Sequence, residues 1–337
     1  MLKRSLFLSC VLAGAAMTSP THDCFAAENP FVGAWALTIP GGHAGWLGVT
    51  EKAGGLQASM LWGWGSVEPV FSAKLAEGKL VLERKHNLEL KEGGKTIKTN
   101  YIETITATVA GDRIELVSRT PRLRGGGEDV AQFSGRRQPP LPPAPDLSKV
   151  KFGAPVRLFN GQDLSGWRLT DPGAVNGWRA VDGVLVNDPV QEEGKPHKNY
   201  GNLRTEKEFE DFNLQLEVRL PEKGNSGIYL RGIYEIQVAD SFGKPASAHG
   251  MGAIYSRVAP TANPSKAPGE WQTLDITLVD RHVTVLLNGQ KILDNVALEG
   301  CTGGALWSDV TRPGPLYLQG DHTRVEYRNM VLRPRVQ

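Results

Sequence analysis

Cysteine is scarce in this sequence, and its scarcity excludes two kinds of site. The chain has three cysteines in 337 residues. Cys10 and Cys24 lie in an N-terminal segment that we interpret as a cleaved leader, so the mature chain would keep only Cys301. One cysteine can form neither an internal disulfide nor a cysteine metal site. Cys301 precedes a loop-like, glycine-rich stretch, which favours a structural thiol over a nucleophile.

Long apolar runs are also lacking beyond the N-terminus. Residues 1–27 begin with Lys3 and Arg4, continue with an apolar stretch and end in small residues up to Ala27, which is the pattern of a secretory signal peptide. No later run reaches the ~18–20 apolar residues that a membrane-spanning helix needs. We therefore expect a cleaved signal peptide, a periplasmic or secreted mature chain, and no integral membrane span.

An excess of charge of one sign is absent as well. The formal net charge is +2, and acidic and basic residues are interspersed along the chain. This distribution excludes the basic stripe of a nucleic-acid-binding protein and the polybasic cluster of a membrane anchor. Amphipathic helices are hard to find, whereas glycine (39) and proline (22) are abundant. The composition therefore predicts an all-β fold of short strands joined by turns.

The spacing of the strand patterns predicts two all-β domains. Residues 28–137 show short apolar strands at intervals of ~8–12 residues, which is typical of a small β-barrel or β-sandwich. Residues 138–150 contain QPPLPPAPDL, which predicts an extended, semi-rigid linker. Residues 151–337 continue with roughly ten to twelve further strands, which predict a two-sheet sandwich or jelly roll.

Two tryptophans of the first domain have two interpretations. Trp62 and Trp64 alternate along a predicted strand and would share one face, which suits stacking on a sugar ring. Packing in the core of a small barrel is the alternative, and it is the interpretation that we favour. The first domain is treated as an accessory domain.

The stretch 225–241 combines alternating strands with costly polar residues. Two short strands are joined by a tight glycine turn, and apolar residues occupy one face of each. Tyr229 and Arg231 take the other face of the first strand, and Glu235 and Gln237 take the other face of the second. The pattern predicts a polar binding surface on one side of a half-buried sheet.

An ordered set of motifs covers residues 155–335. It includes LFNG (158–161), LSGW (164–167), DGVL (182–185), NSGIYLRG (225–232), YEIQV (234–238) and GPLYLQGDH (314–322). With these motifs the second domain resembles the bacterial 3-keto-disaccharide hydrolase family, formerly a domain of unknown function. The resemblance implies a concanavalin A-like β-sandwich. It also implies action on glycosides that are already oxidised to a ketone at C3 of the sugar.

A 3-keto group makes the C2 proton acidic, so a base can remove it and the C1 glycosidic oxygen can leave by β-elimination. Addition of water to the product makes the net reaction a hydrolysis. The site then needs a base near C2, an acid for the leaving oxygen and donors for the enolate. Glu235 and His322 are the candidates for base and acid, in either order. Arg231 could stabilise the enolate oxygen with its planar set of donors.

Further side chains are candidates for binding the substrate. Tyr229, Gln237 and Gln319 could hydrogen-bond sugar hydroxyls, Glu217 could line the same groove, and Tyr255 and Trp271 could stack on a sugar ring.

Metal binding is a separate hypothesis. Glu235, Asp240 and His322 could together hold a divalent ion that stabilises the enolate, although no tight motif spacing supports this.

The main alternative function is a non-catalytic, lectin-like carbohydrate-binding protein. A separate, purely structural alternative for Arg231 and Glu235 is a cross-strand ion pair on an exposed face. A conventional glycosidase with Glu235 and Asp240 as paired carboxylates is disfavoured, because Arg231 stands beside Glu235 in the pattern. We expect an oligosaccharide or glycoside as substrate and a sugar 3-dehydrogenase in the same pathway.

Overall fold

The computed structural model describes residues 29–92, 95–123 and 125–336. The predicted signal peptide, residues 1–27, lies outside the described residues. The regular structure of the described chain is nearly all strand, with one short helical turn at Leu147–Lys149. None of its helical segments has the length and apolar character needed to cross a membrane.

The first part of the chain is a single antiparallel sheet of nine strands. They are β1 (Gly33–Thr38), β2 (Ala44–Lys52), β3 (Gly55–Trp62), β4 (Glu68–Pro69), β5 (Ser72–Ala76), β6 (Lys79–Glu92), β7 (Lys95–Ala110), β8 (Arg113–Pro121) and β9 (Glu128–Arg137). Their order is β4-β3-β2-β1-β9-β8-β7-β6-β5. Two consecutive residues between β4 and β5 connect the two ends of the sheet. The Val70 N–H donates to the Ala58 carbonyl of β3, and the Phe71 N–H donates to the Glu83 carbonyl of β6. The result is a small barrel around its own apolar core, as predicted.

The second part of the chain adds fourteen strands. They are β10 (Lys151–Phe152), β11 (Val156–Arg157), β12 (Trp167–Leu169), β13 (Trp178–Val181), β14 (Val184–Asn187), β15 (Leu203–Phe209), β16 (Phe212–Arg219), β17 (Asn225–Leu230), β18 (Tyr234–Ala239), β19 (Gln272–Val279), β20 (His282–Leu287), β21 (Gln290–Ala297), β22 (Gly314–Leu318) and β23 (Val325–Val336).

These strands form two sheets. The back sheet has the order β13-β14-β23-β16-β19-β20-β21, with β10 and β11 also pairing with β23. The front sheet has the order β12-β15-β22-β17-β18. This arrangement confirms the prediction of an all-β chain that contains a two-sheet sandwich.

Period-two alternation decides which side chains fill the sandwich. On β16, Leu214 and Leu216 are buried between the sheets, and Ile228 and Ile236 face them from the front sheet. Each such side chain stabilises the fold by about 1.5–3 kcal/mol when it is fully buried. Because alternate residues point to opposite faces, the intervening residues of β17 and β18 must lie on the outer face of the front sheet. The polar face predicted from the sequence is that outer face.

The proline-rich segment is docked on the sandwich. Arg281 Nη1 donates to the Pro139 carbonyl at 2.9 Å, and Asn295 Nδ2 donates to the Pro145 carbonyl at 2.8 Å. Trp46 and Leu61 of the barrel belong to the same buried apolar cluster as the sandwich core. Residues 31–337 therefore form one compact unit, in which barrel and sandwich share part of their core.

Candidate functional site

One row of side chains crosses the outer face of the front sheet. Strand register places Arg204 beside Tyr317, Tyr317 beside Tyr229, and Tyr229 beside Glu235. The row continues beyond the edge of β18, where the Tyr255 N–H donates to the Glu235 carbonyl at 3.0 Å. Directly opposed residues share a face of a sheet. The row therefore joins β15 and β22, which lie more than 100 residues apart in sequence, to the neighbouring strands β17 and β18.

A glycine makes room for the Glu235 carboxyl group. Gly227 lies within β17 opposite Gln237, and a Cβ atom at Gly227 would overlap Glu235 Oε1. The carboxyl group therefore lies over the backbone of β17. The rings of Tyr229 and Tyr317 stack in the same row, with centroids 4.1 Å apart and planes within 9° of parallel. A rigid aromatic pair thus borders the carboxyl group.

The hydroxyl group of Tyr229 has one proton and two acceptors. It lies 2.8 Å from Glu235 Oε2 and 2.6 Å from the Gly303 carbonyl oxygen. A carbonyl can only accept, so an ionised Glu235 would leave one of the two acceptors without a donor. A protonated Glu235 satisfies both, because it donates to the Tyr229 oxygen while the hydroxyl donates to Gly303.

The electrostatics of Glu235 agree with this geometry. Glu235 is 3% exposed. Burial raises its pKa to about 8, the hydrogen bond from Tyr229 lowers the pKa, and the nearby Asp321 carboxylate raises it. Glu235 is therefore mostly protonated at neutral pH. A carboxylic acid with a pKa near the working pH is suited to acid–base catalysis.

Amide groups surround the carboxyl group and the tyrosine pair. The Gln237 amide lies 3.1 Å from Glu235 Oε1 and donates to it when the amide nitrogen faces the carboxyl group. Asn202 Nδ2 donates to the Tyr317 hydroxyl at 2.9 Å. Gln319 Oε1 is buried and finds no partner among the described residues. Buried polar atoms are nearly always hydrogen-bonded, so this acceptor is unused hydrogen-bonding capacity next to the row.

Asp321 and His322 form an exposed pair at the rim of the site. Their Oδ1 and Nδ1 atoms are 3.5 Å apart, and each side chain is about two-fifths exposed. Burial is the main cause of the raised pKa values of Glu235, Tyr229 and Tyr317, and the Asp321 charge adds to all three. The carboxylate beside His322 is therefore that of Asp321.

Arg231 does not continue the polar face. The strand alternation ends at Leu230, and Arg231 lies in the following turn with a φ of 55°. Its buried guanidinium group donates to the Val310 carbonyl at 2.9 Å and to the Arg312 carbonyl. These bonds fix the loop before β22. The placement does not support the predicted role of Arg231 at the enolate or an ion pair with Glu235.

Glu217 and Trp271 lie on the back sheet, across the sandwich core from the row. Glu217 accepts from Arg328 Nε at 2.7 Å and from Asn329 Nδ2 at 2.8 Å. The Trp271 ring lies between the guanidinium groups of Arg219 and Arg328, at 4.7 and 4.0 Å. The structure therefore does not bring these two residues into the groove that the sequence pattern predicted.

The three candidate metal ligands do not assemble either. Asp240 caps the turn after β18, where its carboxylate accepts from the Lys223 N–H at 2.9 Å and the Phe242 N–H at 3.3 Å. Over residues 29–92, 95–123 and 125–336, no three His, Cys, Asp or Glu side chains are grouped as metal ligands. Glu235, Asp240 and His322 therefore form no ligand set. A divalent ion does not fit these residues.

Sequence reasoning missed Tyr317, Asn202 and Asp321. Tyr317 stands two residues before Gln319, so the strand alternation could have placed it on the same face. Asn202 and Asp321 lie next to strand ends, and only the pairing of β15, β22 and β17 brings them to the row. No local pattern marks either one.

Comparison with known proteins identifies the second part of the chain. Residues 154–333 match the profile of the 3-keto-alpha-glucoside-1,2-lyase-like domain. Among solved structures, a candidate glycosyl hydrolase from Parabacteroides distasonis ATCC 8503 is 30% identical, with a TM-score of 0.44, over 58% of this chain and 93% of that one. Another candidate glycosyl hydrolase from the same organism is 25% identical, with a TM-score of 0.40, over 54% and 100% of the two chains. None of the curated proteins matches.

Proposed function

Because the chain belongs to the family of 3-keto-alpha-glucoside-1,2-lyase-like domains, we propose that it is a glycoside-acting enzyme that cleaves the glycosidic bond of 3-keto-glycosides. The observation that carries this proposal is the environment of Glu235. Its carboxyl group is buried without a cation, shares the Tyr229 hydroxyl with a carbonyl, and has a pKa raised to about 8. This is a carboxylic acid held ready for proton transfer.

In the proposed elimination, protonated Glu235 is the acid that protonates the leaving oxygen. His322 takes the C2 proton, and the electron pair of the C2–H bond delocalises into the 3-keto group as an enolate. The enolate then re-forms the ketone, the C1–O bond breaks, and Glu235 gives its proton to the departing oxygen. Water adds across the resulting C1=C2 bond and yields the free 3-keto sugar. Gln237 and Gln319 supply hydrogen bonds to the sugar.

This chemistry does not need a carboxylic acid paired with a second, ionised carboxylate across the glycosidic bond. Paired-carboxylate glycosidases stabilise an oxocarbenium-like transition state. Asp240, the predicted second carboxylate, is occupied in capping a turn. The geometry therefore favours elimination over the conventional route.

The test is an assay of the purified protein on a 3-keto-glucoside and on the matching unoxidised glucoside, each with and without a chelator. We expect release of the leaving group from the 3-keto substrate alone, at a rate that the chelator does not change. Turnover of the unoxidised glucoside would contradict the proposal. Tight binding without product from either substrate would instead identify a lectin-like carbohydrate-binding protein.

The setting of the reaction follows from its substrate. A 3-keto-glycoside must be made by oxidation of an ordinary glycoside, so we propose that a sugar 3-dehydrogenase supplies it. We also propose that the mature chain acts in the periplasm or outside the cell, after removal of residues 1–27. Fractionation of the native host with an antibody to the sandwich would test this location.

A further inference from the structure

The barrel presents one exposed tryptophan among the described residues. Trp35 and Trp46 are buried. Trp62 is half-buried and packs edge-on against Phe133, with ring centroids 5.1 Å apart. Trp64 is 62% exposed. The prediction of core packing therefore fits Trp62 but not Trp64.

The chain turns between these two tryptophans. Strand β3 ends at Trp62, and Gly63 has a φ of 75°, a conformation that favours glycine. Trp64 therefore leaves the strand face on which the alternation predicted both indoles. It enters a loop of residues 63–67, which we call the barrel loop.

The barrel loop is bonded to the sandwich at both of its ends. The Gly304 N–H donates to the Gly63 carbonyl at 2.9 Å. At the other end, Ser66 Oγ lies 3.0 Å from His249 Nε2, and the Val67 N–H donates to Ser256 Oγ at 3.0 Å. A loop held by hydrogen bonds at both ends places its side chains reproducibly.

Both anchoring segments of the sandwich border Glu235. In the 303–304 segment, the Gly303 carbonyl accepts a hydrogen bond from the Tyr229 hydroxyl. The 249–256 segment includes Tyr255, which pairs with Glu235 at the edge of β18, and the His249 ring packs edge-on against Tyr255 with centroids 5.1 Å apart. The barrel loop therefore spans the Glu235 end of the row.

Trp64 lies one residue away from the row. A Cβ atom on Gly304 would be 2.8 Å from the Tyr229 hydroxyl and 3.6 Å from Trp64 Cζ3. The Tyr229 hydroxyl and this part of the indole therefore both lie next to the Gly304 backbone. The His43 ring supports the indole from the barrel, with centroids 5.5 Å apart.

We propose that Trp64 is a specificity-determining residue that stacks on the second sugar ring, the leaving group, of a disaccharide bound at Glu235. The inference rests on the proposed function for the position of the scissile bond. An exposed indole, held beside the polar row by a loop that is bonded at both ends, suits an aromatic contact with the apolar face of a sugar. The barrel is then part of the substrate site and lies outside residues 154–333, which match the family.

The test compares a 3-keto-disaccharide, 3-keto-trehalose, with methyl 3-keto-glucoside, which lacks a second ring. In W64A we expect the ratio of kcat/KM for the disaccharide to kcat/KM for the methyl glycoside to fall about tenfold. W64F should recover most of the ratio. The matched control is W271A, which removes a tryptophan from the back sheet and should leave the ratio unchanged.

A second measurement separates the inference from the proposed function. Calorimetry follows the binding of unoxidised trehalose and methyl glucoside to the wild type and to W64A, so it needs no turnover. Weaker trehalose binding in W64A, with methyl glucoside binding changed less than twofold, supports the inference even if the wild type cleaves nothing. An unchanged kcat/KM ratio together with unchanged trehalose binding in W64A would overturn it, whatever the wild-type activity.

Discussion

Two glutamates on the sandwich, Glu235 and Glu217, show how similar sequence settings lead to different chemistry. Each lies on the outer face of a strand among aromatic and amide side chains. Burial raises the pKa of Glu235 to about 8. Burial also acts to raise the pKa of Glu217, but hydrogen bonds from Asn329 and Arg328 lower it below its ordinary value. A carboxylate that is hydrogen-bonded to a cation stays ionised and has a structural role, whereas a buried carboxyl group without such a partner can keep its proton and donate it.

The surroundings of the two glutamates differ in the same way. On the back sheet, Arg328 bonds Glu217 and covers one side of the Trp271 ring, so the cluster satisfies its own charges. On the front sheet, one Tyr229 hydroxyl serves two acceptors, and Gln319 Oε1 finds no partner within the described part of the chain. Only the front cluster leaves hydrogen-bonding capacity for a ligand.

The largest expected effect is on catalysis. E235Q keeps the shape of the protonated side chain but cannot donate a proton to the leaving oxygen, so kcat on a 3-keto-glucoside should fall by about 10²- to 10⁴-fold. E217Q, the matched change on the back sheet, should stay within about twofold of the wild type. Steady-state assays of both variants measure the difference. Equal rates for E235Q and the wild type would remove Glu235 from the mechanism.

The second-largest effect is expected on the pH dependence of stability, which should differ between E235Q and E217Q. The pKa of Glu235 in the folded protein lies above its ordinary value of 4.5. The free energy of unfolding should therefore fall as the pH rises from about 4.5 to about 8, because ionisation is less favourable in the folded state. E235Q avoids this loss and should become more stable than the wild type by a few kcal/mol at pH 8. For Glu217, whose pKa is lowered, E217Q should be less stable than the wild type above pH 4.5. Denaturant unfolding at pH 5 and pH 8 would show whether the two variants diverge in opposite directions.

The pH dependence of the rate gives a further difference. Since Glu235 acts as the acid, kcat should fall as the pH rises through about 8, by tenfold per pH unit on the alkaline side. E217Q should show the same alkaline limb as the wild type. A rate that instead rises through pH 8 would mean that Glu235 works as the base, with the two roles exchanged.

The smallest effect is expected from Y229F, which removes the hydroxyl group that is hydrogen-bonded to Glu235. Y229F leaves the Gly303 carbonyl without its donor, which should cost about 1–3 kcal/mol of stability. Once Glu235 is ionised, the Tyr229 hydroxyl can turn and donate to the carboxylate, and this hydrogen bond lowers the pKa of Glu235. The alkaline limb of kcat should therefore move to higher pH in Y229F. The control is Y327F, because the Tyr327 hydroxyl bonds Ser226 inside the sandwich. Y327F should lose similar stability without moving the limb, and a shift in both variants would point to a general loosening of the fold.

Much of the front face could be predicted from the alternation of β17 and β18. Tyr229, Glu235 and Gln237 lie where period two places them, because each strand packs one face against the core. Arg231 does not, since the alternation ends where the chain turns. Trp64 differs from Trp62 for the same reason, at Gly63. In both cases a residue with positive φ ended the strand earlier than the pattern indicated.

The assignment of Glu217 to the groove failed for another reason. Alternation shows which side chains of β16 point outwards, but it does not show which of the two sheets the strand joins. Asp321 and Asn202 were missed because only long-range pairing brings them to the row. The faces of single strands were therefore predictable, whereas the grouping of strands into sheets required the structure.

The protonation state of Glu235 is the central claim, and a direct titration tests it. The side-chain carboxyl ¹³C shift of Glu235 can be followed in protein labelled at glutamate, with E235Q used to assign the signal. We expect a titration midpoint at about 8 and a carboxyl group that is mostly protonated at pH 7. A midpoint at or below the ordinary value of 4.5 would contradict the central claim, because an ionised Glu235 at neutral pH could not be the acid.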